Sequence, residues 1–405
     1  MAGDSRGEPP RAAEPLAALL RERLFPLREA APADVWIQAV SVGEVEVATT
    51  LAAELRELRP PISLLVTSTT PAGMALLRRR LGGGEPAVRL RPCPADFPTS
   101  VRRFLDATRP RLLILVETEL WPTTLREAGR RGIPVLIANA RLSERSVRRL
   151  NFVRPLIARA LSAVTLVAAR TPGDAARFAA LGIPAERISV SGDLKLDRAT
   201  PPRPPFAGRV ESLAAGRPVV VAGSMADEEI DLVLETRRRL ADSGRDALLL
   251  LAPRKPGSFD AIAARLAGRG VPFVRRTSDA SAAARADVFL LDTLGELAGA
   301  YLCGDAALLG GTWAPKGGHN VLEPLRAGLG VVHGPSVRNI REALLPDATF
   351  EAGDARAAAA SLATLLSDGA LRRKARDAAA DLFAAGAGAT RRAAEVALGL
   401  LRETP

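Results

Sequence analysis

Short apolar runs recur along this chain, and each is followed by a stretch with helical periodicity. Val35–Val40, Ile62–Val66, Arg111–Val116, Ile133–Ala138 and Leu161–Ala169 read as strands in the first half. Pro218–Ala222, Ala247–Leu251, Ala306–Leu309 and Gly330-Val331-Val332 continue the series in the second. Between them the pattern predicts helices over about 45–58, from Pro71 to about Leu81, over 227–241 and over 321–327. Runs so short and continuously apolar suit strands buried on both faces. Their alternation with helices points to parallel sheets covered on both sides, an α/β class. Ligands in such sheets gather beyond the carboxyl ends of the strands, where the polar motifs of this chain all fall.

A chain of 405 residues suggests two domains. Residues 196–212 hold Pro201, Pro202, Pro204 and Pro205 in a polar setting and read as a linker. The expected division is an N-terminal domain over 1–195 and a C-terminal domain over 213–405, with an Ala-rich helical tail from about Ala355. Two similar α/β domains joined this way suggest a cleft to which each brings one substrate. Hydrophobic residues make up 47%, enough for ordinary cores. The net charge of +11 calls for an anionic partner. Nucleic acid is disfavoured, since aromatics are only 4% and no zinc-finger or RRM pattern occurs. Cys93 and Cys303 match no metal or redox spacing and fit a reducing compartment. No run of about 18 apolar residues predicts a transmembrane helix, and no secretory h-region is found. Leu16, Leu19, Leu20 and Leu24 mark one helical face, with Arg21 and Arg23 off it. That face either packs on its own domain or docks shallowly, with Phe25, on a membrane surface.

The densest motif is Gly310-Gly311-Thr312-Trp313-Ala314-Pro315-Lys316-Gly317-Gly318-His319-Asn320, followed by Glu323-Pro324. It lies where a strand ends and a short helix, stopped at Gly328, begins. Glycine permits positive φ and close backbone approach to a ligand, and a helix start offers unpaired N–H groups to a phosphate. Asn320 is the expected N-cap, and Glu323, about one turn on, could accept from two ribose hydroxyls. His319 is one of only two histidines in the chain. A capped glycine loop without a ligand explains the same spacing.

Other strand ends carry candidate chemistry. Glu44, after Ser41-Val42-Gly43, is either a helix N-terminal charge or a general base. Glu117 and Glu119 could face one side and keep one of the pair protonated, or be solvated loop charges. Trp121 reads as core. Arg141 and Lys195 are candidate anion contacts, and Arg254, before Lys255, suits a nucleotide phosphate or base edge. No cluster has metal-ligand spacing.

Taken together, these motifs resemble one family. Ser41-Val42-Gly43-Glu44, Glu117-Thr118-Glu119-Leu120-Trp121-Pro122, Asn139-Ala140-Arg141-Leu142-Ser143 and Gly192-Asp193-Leu194-Lys195 are similar to the N-terminal half of 3-deoxy-D-manno-octulosonic acid (Kdo) transferases. Gly223-Ser224, Pro253-Arg254, Gly295-Glu296-Leu297 with Tyr301, Gly310-Gly311, Gly317-Gly318-His319-Asn320 with Glu323-Pro324, and Gly334-Pro335 with Asn339 are similar to the C-terminal half. The resemblance runs in order over roughly 35–345. It implies a GT-B fold, two Rossmann-like domains facing a central cleft. It also implies an inverting, metal-independent transfer of Kdo from CMP-Kdo, the donor substrate, to a lipid A precursor at the cytoplasmic face of the inner membrane. By the resemblance Glu44 is the base, and Arg254, His319, Asn320 and Glu323 hold CMP, with Ser224, Gly317 and Gly318 beside them. Ser41, Gly43, Arg141 and Lys195 are then expected at the acceptor. The sequence departs from the family at Gln38, where His is usual, and an N-terminal hydrophobic anchor carried by many members is not found in it.

Overall fold

The computed structural model describes residues 16–26, 31–82, 88–152, 154–278 and 285–402. The chain forms two units, one of Met1–Arg198 with Gly386–Pro405 and one of Ala199–Ala385.

Among the described residues the first unit has seven strands: β1 (Val35–Gln38), β2 (Leu64–Ser68), β3 (Val88–Pro92), β4 (Leu112–Val116), β5 (Val135–Ala140), β6 (Leu166–Ala169) and β7 (Ile188–Val190). All pairs are parallel, in the order β3-β2-β1-β4-β5-β6-β7. β1, β2, β4 and β5 are buried on both faces, as their apolar runs require. The chain runs outward from β1 to β3, then returns to β4 on the other side of β1. This reversal opens a crevice beyond the carboxyl ends of β1 and β4.

The second unit repeats the plan with β8 (Val219–Met225), β9 (Leu248–Pro253), β10 (Phe273–Arg275), β11 (Val288–Leu290), β12 (Ala306–Leu309), β13 (Gly330–His333) and β14 (Thr349–Glu351). The order is β10-β11-β9-β8-β12-β13-β14, again all parallel. Its reversal lies between β8 and β12.

Two boundaries differ from the sequence reading. The helical tail does not stay together. Gly369–Gly386 ends at the unit boundary, while Ala389–Arg402 joins the first unit. Ala389, Ala393 and Ala397 are fully buried at i, i+4 spacing in one cluster with Val47, Leu51 and Leu55 of the helix Val42–Leu58. Small side chains there let the two helices approach closely. The expected linker over 196–212 also shrinks. Leu194–Asp197 is a 3-10 turn of the first unit, Phe206 is in the second unit's core against Phe289, and a helix starts at Ala207.

The helix Leu16–Leu24 forms, yet only Leu19 of its apolar face is buried. Leu16, Leu20, Leu24 and Phe25 are 60, 44, 40 and 64% exposed. Arg23 anchors the helix, donating from its guanidinium to the carbonyls of Cys93 and Thr69 at 3.0 and 3.4 Å. The polar stretch Met1–Glu14 lies outside the described residues. Among those residues, no helix is long and apolar enough to cross a membrane.

Candidate functional site

Each unit carries a cluster of polar groups at its reversal point. In the first, Ser41 caps the helix Val42–Leu58, its Oγ accepting from the Glu44 N–H at 3.3 Å. Glu44 answers: Val40 N–H donates to its Oε2 and the Ser41 hydroxyl to its Oε1, both at 2.7 Å. This is close to a capping box, which explains why the helix starts here. The carboxylate is 7% exposed. Burial pushes its pKa up from 4.5 to about 7, against the two hydrogen bonds, and the charges of Glu119 and Glu117 push it further. Gly43 sits beside it in the exposed first turn.

Glu117 and Glu119 follow β4, the strand paired with β1. Glu117 takes a left-handed conformation at φ 63° and pairs with Lys195 at 2.6 Å. The strand alternation is thus broken, and the two carboxylates have different surroundings. Glu119 accepts from Trp121 Nε1–H at 2.5 Å, and burial first, then the Glu117 charge, raises its pKa. Trp121 is partly exposed at a helix start, where the sequence suggested core. Lys195 serves Glu117, although the sequence offered it as an anion contact. Asn139, at φ 52°, accepts from the Leu194 N–H at 3.0 Å, and the Thr118 hydroxyl donates to the Arg141 carbonyl. The four motifs of this half therefore converge on one place. Gln38, at the end of β1, is fully buried, and among the described residues neither polar atom of its amide has a hydrogen-bond partner.

In the second unit β12 leads into the glycine loop beside the end of β8, where Ser224 adopts φ 54°. His319 Nδ1 lies 2.7 Å from the Ser224 carbonyl oxygen, so this nitrogen carries the proton. Burial and the neighbouring Arg254 lower the His319 pKa, leaving the ring neutral at pH 7 with Nε2 bare as an acceptor. The ring packs over Gly311, where a Cβ would come within 2.7 Å of it. Arg254 follows β9 and is exposed, while its own N–H bonds the Met225 carbonyl at 2.9 Å.

The loop does not present its N–H groups as an open phosphate cradle. Gly311, Trp313 and Ala314 N–H donate to the carboxylate of Glu229 at 2.7, 2.9 and 3.0 Å. Gly317, Gly318 and His319 N–H donate to Ser336 Oγ and to the carbonyls of Gly311 and Gly310. The glycines answer an internal demand as well: a Cβ on Gly318, at φ 87°, would strike Ile340 at 2.7 Å. The helix that follows, Leu322–Arg326, spans barely more than one turn. Asn320 sits one residue outside its cap, where Oδ1 accepts from Leu322 N–H at 3.1 Å and Nδ2 donates to Glu323 at 3.0 Å. An anion here would meet the side chains of Arg254 and Lys316, the latter 3.3 Å from Glu228. The sequence reading missed Glu229. It lies in the acidic triplet Asp227-Glu228-Glu229, which reads as a helix opening, and nothing local marks which carboxylate turns inward.

Among the described residues, no group of three or more His, Cys, Asp and Glu side chains could hold a metal ion.

A family model described as 3-deoxy-D-manno-octulosonic-acid transferase matches residues 18–198. The 3-deoxy-D-manno-octulosonic acid transferase of Haemophilus influenzae is 34% identical over 77% of this chain and 73% of its own length. The transferase of the same name from Bordetella pertussis is 36% identical over 89% and 86%. A UDP-N-acetylglucosamine 2-epimerase matches 93% of the chain at TM-score 0.61 and 16% identity, and is covered over 99% of its length. The calicheamicin glycosyltransferase CalG4 matches 93% at TM-score 0.54 and 14% identity, also covered over 99%. At such identities these structures speak for the fold alone, the two-unit α/β GT-B fold.

Proposed function

The chain belongs to the Kdo transferase family, and from that premise we propose that it transfers Kdo from CMP-Kdo to a hydroxyl of a lipid A precursor, with inversion and Glu44 as general base. The observation that carries this reading is a buried carboxylate with a pKa near 7 at the reversal point of the first unit. A base poised near the working pH combines the right protonation state with proton affinity. Capping does not exhaust Glu44, since two donors occupy it and a carboxylate offers about four lone-pair sites. The acceptor hydroxyl gives its proton to Glu44 as its oxygen bonds the anomeric carbon of Kdo. The bond from that carbon to the CMP phosphate oxygen breaks, and CMP leaves with the electron pair. Glu117 and Glu119 keep the proton affinity of Glu44 high through their charge. Ser41, Gly43 and Arg141 border the acceptor, while Lys195 acts through Glu117.

In the second unit the CMP phosphate is met by Arg254 and Lys316. His319, Ser224 and the Gly317-Gly318 backbone line the site, and the Asn320–Glu323 pair faces the ribose hydroxyls. The lipid acceptor places the enzyme at the cytoplasmic face of the inner membrane as a peripheral protein. Incubation with CMP-Kdo and tetraacylated lipid A precursor, followed by mass spectrometry, tests the reading. Kdo addition that persists in EDTA and drops about 10²–10⁴-fold in Glu44→Ala, with CMP binding retained, is expected. Undiminished turnover in that variant removes Glu44 from the mechanism. Absence of any Kdo adduct with the wild type overturns the substrate assignment.

A further inference from the structure

The second unit holds a buried charge that takes no part in the transfer of Kdo. Glu229 is 1% exposed, yet its carboxylate accepts four backbone N–H groups. Ala226 and Gly311 donate to Oε2 at 2.9 and 2.7 Å, and Trp313 and Ala314 donate to Oε1 at 2.9 and 3.0 Å. Two segments more than eighty residues apart are thereby joined on one side chain, the turn after β8 and the loop after β12. A carboxylate is suited to this task because it is acceptor-only and takes donors on both oxygens.

The consequences run to His319. Glu229 fixes Gly311, and the His319 ring packs over Gly311 where no Cβ is tolerated. The same ring reaches the Ser224 carbonyl at the end of β8. Brace and ring thus connect the same two strand ends. The N–H groups of Gly317, Gly318 and His319 are taken by Ser336 and by the loop's own carbonyls. Thr312 and the Trp313 ring also bond Gly334, Ser336 and Ala352, while Glu229 takes the backbone N–H groups of Gly311, Trp313 and Ala314.

We infer that Glu229 is the positioning residue of the nucleotide site, holding the β12 loop so that His319 is presented with its Nδ1 protonated and its Nε2 bare toward the ligand. The inference rests on the cytidine-nucleotide assignment for what the loop binds, but not for how the loop is held.

Glu229→Gln keeps the shape and replaces one oxygen by a donor. Two of the four N–H groups then lose their acceptor, and buried donors left unpaired are costly. CMP affinity measured by calorimetry is expected to fall about tenfold or more, appearing as a raised KM for CMP-Kdo with a smaller change in kcat. The second readout needs no ligand. The chain has two histidines, and His333, buried with Nδ1 2.8 Å from the Gly334 carbonyl, is an internal reference. Imidazole ¹⁵N spectra are expected to show both rings in the Nδ1–H form in the wild type. In Glu229→Gln only His319 shifts toward the Nε2–H form that unconstrained histidine favours. The charged groups acting on His319 are Arg254, Glu229 and Lys316, and the tautomer, unlike the pKa, does not follow from their sum.

A core variant of the same unit, Leu362→Ala, supplies the comparison for general loss of stability. Should Glu229→Gln not fold, Glu229→Asp keeps the charge but withdraws both oxygens, and the same two changes are expected in smaller degree. Wild-type affinity with a wild-type His319 tautomer overturns the proposal. So does lost affinity with the tautomer unchanged, or an equal loss in Leu362→Ala. If the wild type itself fails to bind CMP, the donor assignment falls, and the ¹⁵N spectra still decide the role of Glu229.

Discussion

Ser41 and Glu44 hold each other in a reciprocal cap, and its hydrogen bonds and its burial make opposite demands on the charge of the carboxylate. Two hydrogen bonds favour the ionised form while burial disfavours it, and burial prevails. The shift from 4.5 to about 7 is worth about 3 kcal/mol at 1.36 kcal/mol per unit. An acid with a raised folded pKa binds its proton more tightly when folded, so that contribution is present at low pH and lost as pH rises through about 7. Glu44→Gln is therefore expected to match the wild type in stability near pH 4 and to exceed it by up to about 3 kcal/mol at pH 8.5. Denaturant melts at the two pH values read this, and a variant weaker at pH 8.5 would show the charged cap to be the greater need. Gly43 offers a companion test. A Cβ there meets nothing closer than Ser41 Oγ at 3.9 Å, so the fold does not require glycine. Gly43→Ala is expected to raise stability by up to about 1 kcal/mol and, if Glu44 acts as proposed, to lower transfer by filling space beside it. Unchanged turnover would move the acceptor away from Gly43. The place of Glu44 in the first turn of a helix after a strand was legible from sequence. Glu229 was not, since three of its four donors lie more than eighty residues away.

Among the elements, the longer strands buried on both faces were readable, and the edge strands and the short inner β11 were not. β4, β5, β8, β9 and β12 are built mostly of Val, Leu, Ile and Ala, and β1 opens Val-Trp-Ile, so their burial leaves little ambiguity. β3 alternates Arg with Val and Leu at a sheet edge, and β7, β10, β11 and β14 have three residues each, too few for any period to register. The last helix was recognised as a helix but assigned to the wrong unit. An Ala-rich face states that something packs closely against it, not which partner does. That partner includes Leu51 and Leu55 of the helix that carries Glu44. Ala393→Leu should overpack this contact, lowering the stability of the first unit by about 1–3 kcal/mol. Hydrogen exchange would report the loss in Val42–Leu58 and leave the second unit's strands protected. Equal loss in both units would mean that the helix does not belong to the first alone. The glycine loop was read correctly as a strand-to-helix junction. Its N–H groups were read as vacant because the sequence does not show the carboxylate and carbonyls that take them.

At the scale of the molecule, the net charge of +11 and the proposed lipid acceptor both point to an anionic surface. The sequence offered two fates for the face Leu16, Leu19, Leu20 and Leu24, and the structure divides it. Leu19 packs inward, while Leu16, Leu20, Leu24 and Phe25 stay in solvent. Phe97 is 59% exposed and belongs to the same surface, because Ala95 N–H bonds the Arg23 carbonyl and Ser100 Oγ–H bonds that of Leu24. An apolar patch of this kind in a strongly basic protein suits shallow docking at headgroup depth. The apolar and electrostatic parts separate by experiment. Cations near an anionic surface contribute about 1 kcal/mol each and are screened over about 8–10 Å. Binding to vesicles containing phosphatidylglycerol should therefore weaken steeply as salt rises. Replacing Phe25 and Phe97 together by Ser should weaken it at every salt concentration without altering the salt slope. Turnover on a detergent-dispersed acceptor should be unaffected, since neither residue belongs to the Glu44 or His319 clusters. Co-sedimentation of wild type and double variant across a salt series measures both parts. Retention on vesicles at high salt with release only by detergent would contradict peripheral docking, and wild-type binding by the double variant would remove this patch from the contact.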